Sequence, residues 1–230
     1  MRQMFLNSTF IGVVVSLLGY ELGRVLKAKF KLALFNPLLV AIAFVMIFLG
    51  VSGMKYQVYN EGAKYISYLL TPATVCLAIP LYEQIHLLMK NKSAVLFGIL
   101  SGVFSSLLSI FVMCLLMGLG HEEYVTLLPK SITTAIGMGI SEELGGMVTI
   151  TVAVIIVTGI LGNVIAEKVF QIFKIHNSIA KGIALGTASH AIGTAKAMEL
   201  GEVEGAMSSL SIVISGILTV AAASIFANFM

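Results

Sequence analysis

The chain has 230 residues, 58% of them hydrophobic and 11% charged, with a formal net charge of +3 and a mean hydropathy of +1.02. A soluble domain averages about 25% charged residues, so the composition excludes an ordinary soluble globule. It predicts an all-α integral membrane protein, because the apolar runs reach helix length rather than that of the ~10-residue alternating strands of a barrel. The basic residues sit in short clusters between those runs, a pattern that carries no nucleic-acid signature and reports orientation instead.

The first run, Phe5 to Leu22, lacks a small-residue cleavage site and is followed by Arg24, Lys27, Lys29 and Lys31, the pattern of a retained anchor. Further spans are predicted over Leu32 to Val51, Ala94 to Leu119, Met147 to Phe170 and Met207 to Phe229, each close to the length that crosses about 30 Å of hydrocarbon. Between them lie three less regular segments. Leu69 to Leu81 holds Pro72 and Pro80, Leu127 to Ile140 holds Pro129 and Gly137, and Gly182 to Met198, GIALGTASHAIGTAKAM, holds Gly186 and Gly193. These six residues are the expected helix breaks. The last segment offers lipid little bulky apolar surface, and interrupted backbone at membrane depth must be buried in protein or line a watery cavity. It therefore reads as the lining of a site.

Shifting the chain by about half its length aligns TVCLAIP at Thr74 with TASHAIG at Thr187, SGVF at Ser101 with SGIL at Ser215, and SIF at Ser109 with SIF at Ser224. A single polytopic domain, residues 1–230, built from repeats of about 1–117 and 118–230, is the expectation. Placing the clusters Arg24 to Lys31, Lys90 with Lys92, and Lys168, Lys174 and Lys181 in the cytoplasm makes Ala94 to Leu119 run outward and Met207 to Phe229 inward. The repeat is then inverted, Leu127 to Ile140 is re-entrant, and the chain crosses seven times. Eight crossings with parallel repeats is the alternative.

Two segments carry chemistry. Lys130 has Ser131, Thr133 and Thr134 beside it, and a lysine at mid-bilayer costs about 3 kcal/mol on insertion scales, so it must snorkel, pair or meet a ligand. As a ligand it would offer, with those hydroxyls and the helix N-terminus after Pro129, a seat for a small carboxylate. His190 is the sole histidine within an apolar segment, flanked by Thr187, Ser189 and Thr194. It is either a hydrogen-bonded packing residue or a group for substrate binding and proton coupling. No second ligand lies at metal spacing, no cofactor motif is present, and no nucleophile, base and orienting acid recur together. Cys76 and Cys114 read as packed thiols.

GTASHAIGTAKA at Gly186 to Ala197, LPKSITT at Leu128 to Thr134, NPLL at Asn36, PLYEQ at Pro80 and EGAMSSL at Glu204 together resemble the LrgB/CidB family of bacterial antiholin-like membrane proteins. The resemblance covers nearly the whole chain and implies a multi-pass protein of the bacterial cytoplasmic membrane. It also implies a small LrgA/CidA-type membrane partner and an association with murein hydrolase and autolysis control. Plastid relatives carry glycolate and glycerate, and bacterial members are linked to pyruvate uptake. Where the family has TTPIAM, this chain has TTAIGM at Thr133 to Met138, with Ala135 in place of a proline.

Three readings follow. The first is a secondary transporter of small monocarboxylates that works as a homo-oligomer, with Lys130 and the hydroxyls holding the carboxylate and His190 coupling protons. The second is an antiholin-like, pore-modulating partner whose polar segments serve oligomer contacts. An intramembrane enzyme is the weakest, and the expectation is that the chain is not an enzyme.

Overall fold

The computed structural model describes residues 10–30 and 35–230. All regular structure among them is helical, and four helical runs are long and apolar enough to cross a membrane: Tyr56–Glu83, Lys92–Met117, Val148–Ile172 and Glu202–Phe229. The chain divides into two compact units, Met1–Cys76 and Leu77–Met230.

The first unit packs α1 (Ile11–Phe30), α2 (Pro37–Ser52) and α3 (Tyr56–Ser67), followed by the short α4 (Leu70–Cys76). The first predicted span ended at Leu22, but α1 runs on through Arg24, Lys27 and Lys29, because Arg and Lys are good helix formers and basic groups suit a helix C-terminus. Residues 5–9 of that predicted span, and 32–34 of the next, lie outside the described residues. Helix α2 starts where Asn36 Oδ1 accepts the Leu38 N–H at 2.9 Å with Pro37 at the first helical position, where a missing N–H costs nothing. Tyr59 OH and Ser16 Oγ, 2.7 Å apart, tie α3 to α1.

The second unit comprises α5 (Ala78–Glu83), α6 (Ile85–Lys90), α7 (Lys92–Met117), α8 (His121–Leu127), α9 (Thr134–Glu143), α10 (Val148–Ile172), α11 (Ser178–Leu200), α12 (Glu202–Phe226) and a closing 3-10 turn, Ala227–Phe229. Pro72 and Pro80 fall in the first turns of α4 and α5, where proline is tolerated. Pro129 lies in the turn between α8 and α9.

Helices α8 and α9 form a first hairpin. After the turn, α9 doubles back, so that Met147 N donates to Thr126 Oγ1 at 2.8 Å and Thr151 Oγ1 bridges Thr126 O and Ser141 Oγ at 2.8 and 2.7 Å. Gly137 is inside α9, its N–H bonded to Thr133 O at 2.9 Å, so it does not break the helix.

Helix α11 is a second hairpin. Ser189 (φ −134°, ψ 15°) and His190 (φ 42°, ψ −136°) leave the helical region, and the chain reverses there. A Cβ on Gly193 would collide with the carbonyl of Leu185, more than two turns earlier and about 12 Å away in a straight helix. The break is thus at Ser189–His190, while Gly186 and Gly193 lie within the two halves. Gly186 lacks a Cβ because one would collide with the Ser208 carbonyl of α12.

This reversal overturns one expectation about direction. The loop charges predicted that Met207 to Phe229 runs opposite to Ala94 to Leu119. Instead α7 and α12 run the same way. Near their starts, Gly98 approaches Ile183 and Gly182 approaches Glu204 and Met207. At their ends, Tyr124 OH donates to Phe226 O at 3.0 Å, His121 Nδ1 lies 2.7 Å from Met230 O, and Phe111 stacks edge-on with Phe229. The physical reason is that residues 178–200 reverse at Ser189–His190 rather than running on as one straight helix.

Candidate functional site

Helix α7 has three faces, set by its 3.6-residue period. Val95, Ile99, Val103, Leu107, Ile110 and Cys114 are buried against the core. Phe97, Phe104, Leu108, Leu115 and Leu116 are exposed. The third face, with Gly98, Gly102 and the serines at 101, 105, 106 and 109, lines a cleft of about 850 Å³ between α7 and the outgoing half of α11. Asn91 and Asn177 line one end of it, which we call the mouth, and the turn of the first hairpin supplies Lys130 and Ser131 toward the other, which we call the floor.

Ser106 lies about 21 Å along α7 from Lys92 and about 16 Å from Met117 at 1.5 Å per residue, so the floor is at the middle of the helix. There Lys130 Nζ donates to Ser131 Oγ at 3.0 Å and to Ser106 Oγ at 3.3 Å, and the two hydroxyls are 2.9 Å apart. Among the described residues no carboxylate pairs with Lys130, whose ammonium has three donors. The third is left for the cleft. The site can therefore bind an anion through one charge-assisted hydrogen bond, supported by neighbouring serines.

Of the predicted site residues, the cleft brings together Lys130, Ser131 and Thr187. Thr133 and Thr134 are at the N-terminus of α9 and do not line it. Ser189, His190 and Thr194 point elsewhere. His190 Nε2 is 3.0 Å from Ile155 O, which requires the ring to donate from Nε2, and its ring lies against Gly159 of α10. Ser189 occupies space left by Gly162. Thr194 Oγ1 is 2.7 Å from Ser208 Oγ on α12. These three fasten the second hairpin. Its return half is held further by Asn163 Nδ2 to Ile192 O at 3.1 Å and by Lys196 to Glu167 and Glu199 at 2.5 and 3.2 Å.

The serines of α7 were missed in the sequence. Their signal was there, since 101, 105 and 109 repeat every fourth residue on one face of an otherwise apolar run. Among the described residues, no cluster of three or more His, Cys, Asp and Glu is placed to hold a metal ion.

Residues 16–229 match the LrgB-like family. The chain belongs to that family. It is 38% identical over 222 residues, 96% of either chain, to the antiholin-like protein LrgB of Bacillus cereus (strain B4264). The same identity and coverage hold for the antiholin-like protein LrgB of Bacillus anthracis (strain A0248). No solved structure matches the chain. As a family member with four apolar helical runs, this LrgB-type chain has the composition and helix lengths of a membrane protein, and one of those runs, Lys92–Met117, lines the cleft.

Proposed function

We propose that this LrgB-family chain is a secondary transporter of small monocarboxylates, of the pyruvate, glycolate or glycerate class, in the bacterial cytoplasmic membrane. The observation that carries the reading is the cleft ending at an ammonium with hydroxyl partners and no counter-charge. A lysine held in that state at mid-membrane is expensive, and a substrate carboxylate relieves the cost. Helices α7, α10 and α12 cross the bilayer. The first hairpin enters beside the start of α10 and the second beside its end, so they enter from opposite faces. Lys90, Lys92, Lys174 and Lys181 gather at the mouth end, which supports a cytoplasmic mouth and draws anions toward it. The chain binds and moves its substrate without making or breaking covalent bonds. Together with two interrupted elements, this is the equipment of alternating access.

The test is counterflow in liposomes loaded with labelled pyruvate, glycolate or glycerate. Saturable exchange with the wild type, abolished in Lys130→Ala protein that still elutes as a folded species, is the expected result. Unsaturable leak, or exchange unchanged by the substitution, removes the proposal. The second reading, favoured by the relatives' names, is an antiholin-like partner of a small LrgA/CidA-type protein. Stable co-purification with such a partner, without counterflow, would select it.

A further inference from the structure

Behind the floor of the cleft is a second, much smaller cavity of about 10 Å³, bounded by Ser106, Ser131, Thr187 and Thr219 and by apolar side chains of α7 and the first hairpin. Its hydroxyls come from α7, the first hairpin, the second hairpin and α12. Thr219 is 4% exposed, and its hydroxyl has no partner among the described residues. No fully buried side-chain N or O atom lacks a partner among the described residues, so this oxygen keeps a little access, and the cavity is the space that Thr219 borders.

The hydrogen positions sharpen the problem. Ser106 and Ser131 each accept from Lys130 Nζ, and one of them donates to the other. The remaining serine O–H then has no protein acceptor, and both serines border the cleft as well as this cavity. Thr187 donates to the Ile183 carbonyl and keeps its lone pairs. The cavity is therefore bordered by the Thr219 O–H, by a serine O–H free to turn toward it, and by one oxygen able to accept.

We infer that a single ordered water occupies this cavity, accepting from Thr219 and from one of the two serines and donating to Thr187. The volume is at the lower limit for one water, and three polar partners is the usual number. A cation is disfavoured because no carboxylate borders the cavity and the Lys130 ammonium is one hydroxyl away. The water fixes which way the serine hydroxyls point and so holds both as acceptors toward Lys130, leaving its third N–H for the cleft. Thr219 thereby acts as a positioning residue for Lys130, a role that rests on the transport reading. Occupancy of the cavity does not.

The test compares wild type with Thr219→Val, which keeps the shape and removes the hydroxyl, and with Thr219→Ser, which restores the hydroxyl. In experimental structures at a resolution that shows waters, a peak within hydrogen-bond distance of Thr219 and of Ser106 or Ser131 is expected in wild type and the Ser variant, and none in the Val variant. A wild-type cavity without density overturns the inference, as does a peak that persists in the Val variant. Density that strengthens when sodium is replaced by rubidium also overturns it, by showing a cation. For transport, KM for the labelled carboxylate should rise about fivefold in the Val variant and recover in the Ser variant. An unchanged KM with the water lost would overturn the positioning role alone.

Discussion

Lys130 is positioned by two hydroxyls, and this makes its substitutions graded. Lys130→Ala should abolish saturable exchange, because it removes the one charge-assisted hydrogen bond to the carboxylate. Ser131→Ala should raise KM only a few-fold, because Ser106 still holds the ammonium. Uptake kinetics on protein of unchanged elution profile would check both, and equal losses would show that the serine is structural. At His190 a second prediction applies. Its backbone at φ 42°, ψ −136° is a conformation that side chains other than glycine reach only with strain, so the side chain must hold it there. His190→Gln can place an amide N–H where ring Nε2 donates to Ile155 O, and should keep both stability and the pH profile of uptake. His190→Leu should lose about 1–3 kcal/mol of stability, read by thermal unfolding in detergent. Loss of pH dependence in the Gln variant would return proton coupling to this residue. Lys130, Ser131 and Thr187 were legible as residues that line the cleft because polarity within an apolar run is costly wherever it occurs. The roles of Ser189, His190 and Thr194 were not, because sequence shows that a polar group is buried without showing which helix it faces.

Among the elements, the three long helices α7, α10 and α12 were readable to within a few residues from length and hydropathy. Of the three irregular segments expected, Leu127 to Ile140 and Gly182 to Met198 coincide with the two hairpins, but their geometry was not legible. Proline marked the first interruption truly, since Pro129 cannot donate a helical N–H. Glycine misled in the second, because Gly186 is small for close contact with α12 rather than to bend the chain. The reversal at Ser189–His190 depends on a surface supplied by α10, where Gly159 and Gly162 leave room for the hairpin tip. That is a tertiary constraint with no local signature. A paired substitution tests it. Gly162→Ala should destabilise by about 1–3 kcal/mol through overpacking against Ser189. Adding Ser189→Gly should recover much of that loss. A double variant no better than the single one would mean that the tip does not seat in this recess.

For the whole molecule, the common direction of α7 and α12 decides where the chain ends. With the lysine-rich mouth in the cytoplasm, Glu122 and the C-terminus at Met230 emerge together on the outer face, beside His121 and Tyr124. Single cysteines at Lys90, Lys181 and Glu122 and a C-terminal reporter, in a background lacking Cys76 and Cys114, would report this. An impermeant reagent applied outside should reach Glu122 and the reporter alone. A C-terminus on the side of Lys181 would mean that residues 178–200 cross after all.

The depth of the cleft also has an electrical consequence. Water filling it would bring the potential of one compartment to Lys130, so nearly the whole membrane voltage would fall across the first hairpin and its apolar packing. An elementary charge moved through 100 mV exchanges about 2.3 kcal/mol. A carboxylate entering from the mouth would feel little of that, and its step past Lys130 would feel almost all. In liposomes clamped by potassium gradients, KM measured from the lysine-rich side should be independent of voltage, while the maximal rate of net anion movement should climb steeply with it.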